Sequence, residues 1–497
     1  MQTQSTAPPP SLKNNVKKAL DHWHKPNNGK STIESLYLFR ERLRDTQQNH
    51  RRVTNDIILR GIRRLEGDRG DCAAYLQQRY LDEKSVVALA QTRNMSQSMV
   101  FDLQKLSIEW LTNTLWDMER AKRQERQERL LKHLEAPTYA NLVGVEKNQD
   151  ALLTQLDTAN APYIVSVTGM GGMGKTALAD SLARRVIAEG QFDEVGWVTA
   201  RQQQLNFLGQ IELVTPSTAQ DNAVDIGGDT GSGTEGAAYE SNPTAEGIVR
   251  ELCRQVMPDF PLPTNFSLQE AIATLEKHLN QYPHLIVIDN LETVEDIRDL
   301  FPTLHRLANP SKFLLTSREE LFNQANIFHY NIPALNEAES LALVRQEAIQ
   351  SNLPVVAEST DDELKPIYDT VGGNPLALRL VVGLVHHELL DDILDDLRVA
   401  NNKTADQLYT YIYRQAWDKL NELSRQILLT MPTIKPSGDG IDIVIQNSGL
   451  DRRAVRAGLS SLVILNLVNT HGDQADRRYS IHALTKSFLL EQVLLWS

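Results

Sequence analysis

Two cysteines, Cys72 and Cys253, are too few and too far apart for a disulfide framework or a zinc site. That poverty fits a reducing compartment, and the expected location is cytoplasmic. No run of 18 or more apolar residues occurs, so neither a membrane span nor a membrane partner is expected. The N-terminus, MQTQSTAPPPSLKNN, lacks the apolar core of a secretory signal. No internal repeat is evident. What the chain does have is length and uneven charge. Its 497 residues predict about three or four domains, and 41% hydrophobic residues can bury several cores. The net charge is −13, yet residues 1–135 hold 24 lysines and arginines against 17 acids, which leaves that stretch +7 and the remainder −20. A basic N-terminal module on an acidic body points to an anionic partner. An ordinary set of solvated helices has the same balance, so both readings stand.

The pattern changes along the chain. Residues 1 to about 10 are Pro-rich and expected to be disordered. From Ser11 to Glu135 helical runs dominate, ending in WDMERAKRQERQERLLKHLE. That last stretch has few apolar positions and reads as a solvated connecting helix, broken at Ala136, Pro137 and Thr138. From Tyr139 strands alternate with helices, the signature of a parallel sheet. The candidate strands are Tyr163–Thr168, Glu194–Thr199, His284–Asp289, Lys312–Thr316 and Ile327–Ile332. Asp225–Thr244 is Gly-rich, acidic and aperiodic, and reads as a flexible insertion. From Leu335 to about Ala400 the chain is helical again. From Thr404 onward, helices lead to a candidate hairpin, LVNTHGDQADRRYSIH, and a final helix, a combination that suggests a winged helix.

The most informative run is VTGMGGMGKTALA, Val167–Ala179. Gly169, Gly174, Lys175 and Thr176 fit the phosphate-binding pattern G-x-x-x-x-G-K-[ST], between an apolar strand and a helix-forming run, Thr176–Ala188. Glycines, here Gly169, Gly171, Gly172 and Gly174, let backbone N–H groups close around phosphate oxygens. Ala177 opens the helix whose N-terminus adds a favourable dipole. Lys175 reaches the β- and γ-phosphates, and Thr176 can hold Mg²⁺. HLIVIDN places Asp289 at the carboxyl edge of another strand, where it suits a Walker B carboxylate that orients Mg²⁺. Asn290 stands where many hydrolases have a second acid, and Glu292 comes two residues later. The expected enzyme activity is at most slow hydrolysis of ATP to ADP and phosphate. KFLLTSRE ends a strand with Thr316, Ser317 and Arg318, and Arg318 at that edge can reach a γ-phosphate. A surface arginine paired with Glu319 or Glu320 is the plainer alternative. GGNPLAL, Gly372–Leu378, makes a sharp break before Pro375 opens a helix. RRYSIHAL places His482 before the last helix.

Together, in this order, these runs resemble the NB-ARC family of signal-transduction ATPases (the STAND class), which includes plant resistance proteins, apoptosome scaffolds and many bacterial regulators. The resemblance covers about residues 139–497. It implies a multidomain fold: an N-terminal all-α module (1–135), a P-loop α/β nucleotide-binding domain with a parallel sheet (139–332), a helical domain (333–402) and a C-terminal winged helix (403–497). It implies that Pro375 packs on adenine and that His482 contacts the β-phosphate of ADP. LVGVEKN, Leu142–Asn148, looks like the family's entry segment, which brings Val143 to the nucleotide; Val145 stands where an arginine is usual. By this resemblance ADP glues the domains into a closed resting state. Exchange for ATP releases His482, lets Arg318 sense the γ-phosphate, and promotes a homo-oligomer. Relatives often carry sensor repeats after the winged helix, so the signal is expected from a partner or from a region outside this chain.

Residues 77–111 resemble the helix-turn-helix of sigma-factor region 4. One helix covers Ser85–Gln91, the turn Thr92–Met95, and Ser96 caps a second helix with Val100, Leu103, Leu106 and Trp110 on its inner face. Gln97, Ser98 and Lys105 then face outward, toward a DNA major groove or a protein effector. That second helix has no arginine; Arg51, Arg52, Arg60, Arg63, Arg64 and Arg69 precede it. Arg452, Arg453 and Arg456 raise the same question for the C-terminal domain, which in this family usually serves nucleotide sensing. Three outputs remain open: a nucleotide-controlled switch, a DNA-binding regulator, and a defence or cell-death scaffold that recruits an effector.

Overall fold

The computed structural model describes residues 7–25, 31–46, 49–137, 139, 141–157, 162–200, 204–205, 211–212, 245–257, 267–280, 283–291, 294–318, 326–400, 405–435, 438–471 and 476–490. The expected insertion Asp225–Thr244 lies outside them, as do Glu292, Glu319 and Glu320. The chain forms two compact units, Met1–Arg129 and Leu130–Ser497.

The first unit is all helical: α1 (Pro10–Asp21), α2 (Tyr37–Thr46), α3 (His50–Leu76), α4 (Val86–Thr92) and α5, which runs Gln97–Leu131. Asn49 and Ser85 cap α3 and α4 by accepting backbone N–H groups, and Ser96 accepts the N–H of Met99 at the start of α5. Leu12, Val16, Ile58, Ile62, Leu65, Leu111 and Leu115 form its core. At Gly61 the helices α3 and α5 approach so closely that a Cβ would sit 2.8 Å from Leu115 Cδ2.

Two expectations are corrected here. The charged end of α5 is solvated on one face only: Glu125, Glu128 and Arg129 are exposed, but Glu119 is fully buried and Arg126 nearly so. Glu119 accepts the backbone N–H of Tyr37 at 2.8 Å and of Leu38 at 3.0 Å, satisfying donors that the start of α2 leaves orphaned. Arg123 pairs with the same carboxylate at 2.6 Å. The second correction is Leu106, which is 48% exposed rather than inward. It lies six residues after buried Val100, roughly 120° off the inner stripe. Ile108 and Leu111 are buried instead, while Leu103 and Trp110 are half-buried.

The second unit is built on a five-stranded parallel sheet. Its strands are β1 (Ile164–Thr168), β2 (Glu194–Thr199), β5 (His284–Leu291), β6 (Lys312–Ser317) and β7 (Ile327–Asn331), in the order β2-β5-β6-β1-β7. A small pair, β3 (Gln204–Leu205) and β4 (Ile211–Glu212), stands apart. Each of the five expected strands is present. Alternate residues serve opposite faces. Ile286, Ile288, Phe313 and Leu315 pack under α8 (Ala245–Val256), α9 (Leu268–Leu279) and α10 (Val294–Leu307). Val165, Val167, Val287 and Leu314 pack under α6 (Val145–Leu156) and α7 (Lys175–Glu189).

Beyond the sheet the chain is helical from α11 (Glu337–Gln350) through α12 (Pro354–Ala357), α13 (Asp361–Val371), α14 (Pro375–Leu384), α15 (Leu390–Ala400), α16 (Ala405–Asp418) and α17 (Glu422–Thr430). Then come β8 (Asp439–Gly440), α18 (Ile441–Ser448), α19 (Arg452–Ile464), β9 (Asn469–His471), β10 (Arg478–Ser480) and α20 (Ala483–Phe488). The expected hairpin is β9–β10; β8 adds an unforeseen third antiparallel strand, in the order β8-β10-β9. The helices from α11 onward share one hydrophobic core, from Leu341 to Leu489, with Tyr479 of β10 packed against it.

Candidate functional site

A cleft of about 1190 Å³ opens at the carboxyl edge of the sheet, where β1 ends in the glycine-rich loop. Gly171, Gly172, Gly174, Lys175, Thr176 and Ala177 line it from the loop and the start of α7. Gly172 and Gly174 adopt left-handed φ values of 78° and 85° that ordinary side chains resist. Lys175 Nζ donates to the carbonyls of Gly169 at 2.7 Å and Met170 at 3.0 Å, so it lies back across its own loop. Asp289, Arg318, Pro375, Val143 and His482 line the same cleft. Gly169 alone among the expected residues does not. It borders a smaller adjoining depression.

The floor of the cleft is a hydrogen-bonded knot. Thr176 Oγ1 donates to Asp289 Oδ1 at 2.9 Å, and Thr316 Oγ1 donates to the same oxygen at 2.5 Å. Burial pushes the Asp289 carboxyl up from its ordinary value, and the Thr316 and Thr176 hydroxyls pull it back. Asp289 is 4% exposed. This donor set fits Mg²⁺ bound together with phosphate. Among the described residues no group of three His, Cys, Asp or Glu side chains could hold a metal by itself. One carboxylate and one hydroxyl suit a cation that takes its remaining ligands from substrate oxygens and water.

His482 lines the cleft from the segment between β10 and α20. Burial, followed by the charges of Arg379, Arg318 and Lys175, lowers its pKa to about 4. It is therefore a neutral imidazole at pH 7, facing a cleft with several cations. The mouth is bordered by the segment containing Ala136, Pro137 and Tyr139. Tyr139 donates its hydroxyl proton to Asp180 Oδ2 at 2.6 Å, and Arg184 Nε reaches the same carboxylate at 2.8 Å.

Residues 145–217 match the sequence profile of the NB-ARC domain. The chain carries an NB-ARC domain. A probable disease resistance protein of Arabidopsis thaliana is 26% identical over 259 residues, which is 50% of this chain and 25% of that protein. The disease resistance-like protein DSC1 of the same plant is 23% identical over 359 residues, 70% of this chain and again 25% of the relative. The chain thus spans about a quarter of the length of these curated relatives. Among solved structures, the signal transduction ATPase PH0952 from Pyrococcus horikoshii, a STAND protein with a tetratricopeptide repeat sensor, aligns with a TM-score of 0.41 and 15% identity. The alignment covers 72% of this chain and 43% of that one.

An NB-ARC domain is a nucleotide-binding module, and several cleft residues went unsingled by the sequence reading. Asn374 is 3% exposed; it caps α14 through the N–H groups of Leu376 and Ala377, and its Nδ2 donates to Gly171 O at 3.0 Å. It joins the helical layer to the NB-ARC loop. Its position before a helix-opening proline was a readable capping signal. Arg379, one turn after Pro375, lies 2.8 Å from Glu347 and also lines the cleft. Asn466 donates from Nδ2 to Arg379 O at 2.7 Å, and Lys486 follows His482 by one turn. Nothing in their local pattern marks these last residues, because the fold alone brings them to the cleft.

Proposed function

We propose that the chain is an ADP/ATP-controlled switch whose NB-ARC cleft is clasped by three layers at once. The observation that carries this is convergence. The loop after β1, the start of α14 and the segment before α20 all face one cavity. In the resting state the loop amides and Lys175 take the phosphates of ADP, and Pro375 and Val143 flank the base. Neutral His482 donates to a β-phosphate oxygen, for which no proton has first to be lost or gained. Mg²⁺, when bound, neutralises phosphate charge, with Thr176 and Asp289 as its protein side. Arg318 meets the γ-phosphate after exchange. A nucleotide that breaks the His482 contact and makes one to Arg318 shifts a two-state equilibrium by the difference between those contacts. Asn290 supplies no base, so turnover is slow. We assign residues 139–332, 333–402 and 403–497 as nucleotide-binding, helical and winged-helix domains.

The output belongs to residues 1–135. Gln97, Ser98 and Lys105 are exposed on α5, but so are Met99, Phe101 and Leu106. Large apolar side chains beside a single lysine favour a protein effector over a phosphate backbone. With relatives named for disease resistance, a cytoplasmic defence or signalling scaffold is the reading that follows. Nucleotide analysis of the purified chain tests the switch. Bound ADP, and a larger assembly with a non-hydrolysable ATP analogue than with ADP, are the expected results. Absence of both nucleotide and a size change refutes it.

A further inference from the structure

Strand order raises a geometric problem that the sequence does not pose. β1, which carries the loop, and β5, which carries Asp289, are not neighbours, because β6 lies between them. Thr176 and Asp289 nevertheless meet at 2.9 Å. The gap is bridged at the end of β6. The β5–β6 register shifts between Ile288 and Leu291: Ile288 pairs with Leu315 and Leu291 with Ser317, so Asp289 and Asn290 together oppose Thr316. Within this bulge Asn290 takes φ 68°, a left-handed conformation, and donates its backbone N–H to Thr316 Oγ1 at 2.8 Å.

Hydrogen-bond direction follows from the proton count. A hydroxyl has one proton. Thr316 accepts from Asn290, so its own proton goes to Asp289 Oδ1, at 2.5 Å. Thr176 donates to that same oxygen and keeps its lone pairs for a cation. Asn290 N–H thus donates to Thr316, and the hydroxyls of Thr316 and Thr176 both donate to Asp289.

We propose that Thr316 is the positioning residue of the Mg²⁺–nucleotide site, held by the Asn290 bulge so that it fixes the Asp289 carboxylate against Thr176. This rests on the reading that Thr176 and Asp289 form the protein side of the Mg²⁺ site. It gives Asn290 a purpose: its side chain replaces no acid, and its backbone sets the aim of Thr316. An ordinary strand threonine has its hydroxyl satisfied by whatever is near. Here a bulge, a left-handed residue and two hydroxyls converge on one carboxylate oxygen.

The test uses the full chain stripped of nucleotide and a fluorescent ADP, titrated in Mg²⁺ and again in EDTA. The readout is the ratio of the two affinities. Thr316→Val should lower that ratio by roughly 10–100-fold, as loss of an outer-shell partner does, and leave the EDTA affinity unchanged. Thr316→Ser should restore it. Asn290→Gly, which tolerates a left-handed backbone, should keep the ratio, and Asn290→Ala should lower it. The Asn290 pair decides the matter if Thr316→Val does not fold. Asp289→Asn is the control on the underlying reading: a retained ratio there refutes the metal assignment itself. A lost ratio in Asp289→Asn with a retained one in Thr316→Val overturns the proposal. So does an equal loss for Thr316→Val in Mg²⁺ and in EDTA, which marks a merely structural threonine.

Discussion

Lys175 and His482 line one cleft, and in the proposed switch both act on the same nucleotide. Lys175→Ala should remove co-purifying nucleotide and lower the melting temperature, because a ligand that binds only the native state stabilises it by mass action. Mass spectrometry of the released nucleotide and a thermal scan check this, and full retention of ADP would sink the assignment. His482 has a pKa near 4 when folded, against an ordinary value near 6.5. Between those values the unfolded chain binds the extra proton and the folded chain does not, so stability rises with pH. The nucleotide-free protein should lose stability as pH falls from about 6.5 toward about 4, by up to about 1.4 kcal/mol per unit. His482→Gln should flatten that slope in denaturant titrations at several pH values. An unchanged slope would mean that His482 is not the group being buried.

At the scale of elements, the start of α14 joins the helical layer to the phosphate loop. Asn374→Ala removes a helix cap and the contact to Gly171 together. The cap alone costs about 0.5–2 kcal/mol, and the variant should also bind ADP more weakly by calorimetry; weaker folding with unaltered ADP affinity would confine Asn374 to capping. How far such features were legible depended on whether their cause was local. The β1 loop, all five sheet strands and the Ser96 turn have local causes: glycine at positive φ, apolar runs of strand length, a capping hydroxyl. The β5 bulge, the burial of Glu119 and the approach of Arg379 do not. They arise from which strands become neighbours and which helix end needs a carboxylate, and neither follows from a single run of residues. Leu106 shows the same limit, since helical periodicity places apolar residues on a face without showing how wide a face the neighbours cover.

In the proposed switch, the packing of α14 against the end of α19 helps set the balance between closed and open arrangements. Gly383 in α14 lies so close to α19's end that a Cβ would meet the Leu465 backbone at 2.7 Å. Gly383→Ala should therefore wedge that junction by about 1–3 kcal/mol, the usual cost of overpacking, and raise the oligomeric fraction in ADP by light scattering. His482→Ala should shift the balance the same way by about 1–3 kcal/mol. If both variants stay at the wild-type size and release ADP at the wild-type rate, the junction is not the moving part. Duplex DNA should bind the full chain only weakly and with a steep loss as salt rises; tight, salt-tolerant binding in a fluorescence titration would restore the transcriptional reading of α5.

One feature of the fold bears on what the molecule does when no signal is present. The helices from α11 onward bury their apolar side chains in a single continuous core, with Tyr479 of β10 packed against it. In the proposed opening, part of that hydrocarbon has to meet water. Wetting about 200 Å² costs about 5 kcal/mol, which suppresses spontaneous firing more than about a thousandfold. The idle noise of the switch is then set by oil rather than by phosphate. Because hydrophobic cohesion weakens on cooling, its background activity should climb in the cold, at constant nucleotide.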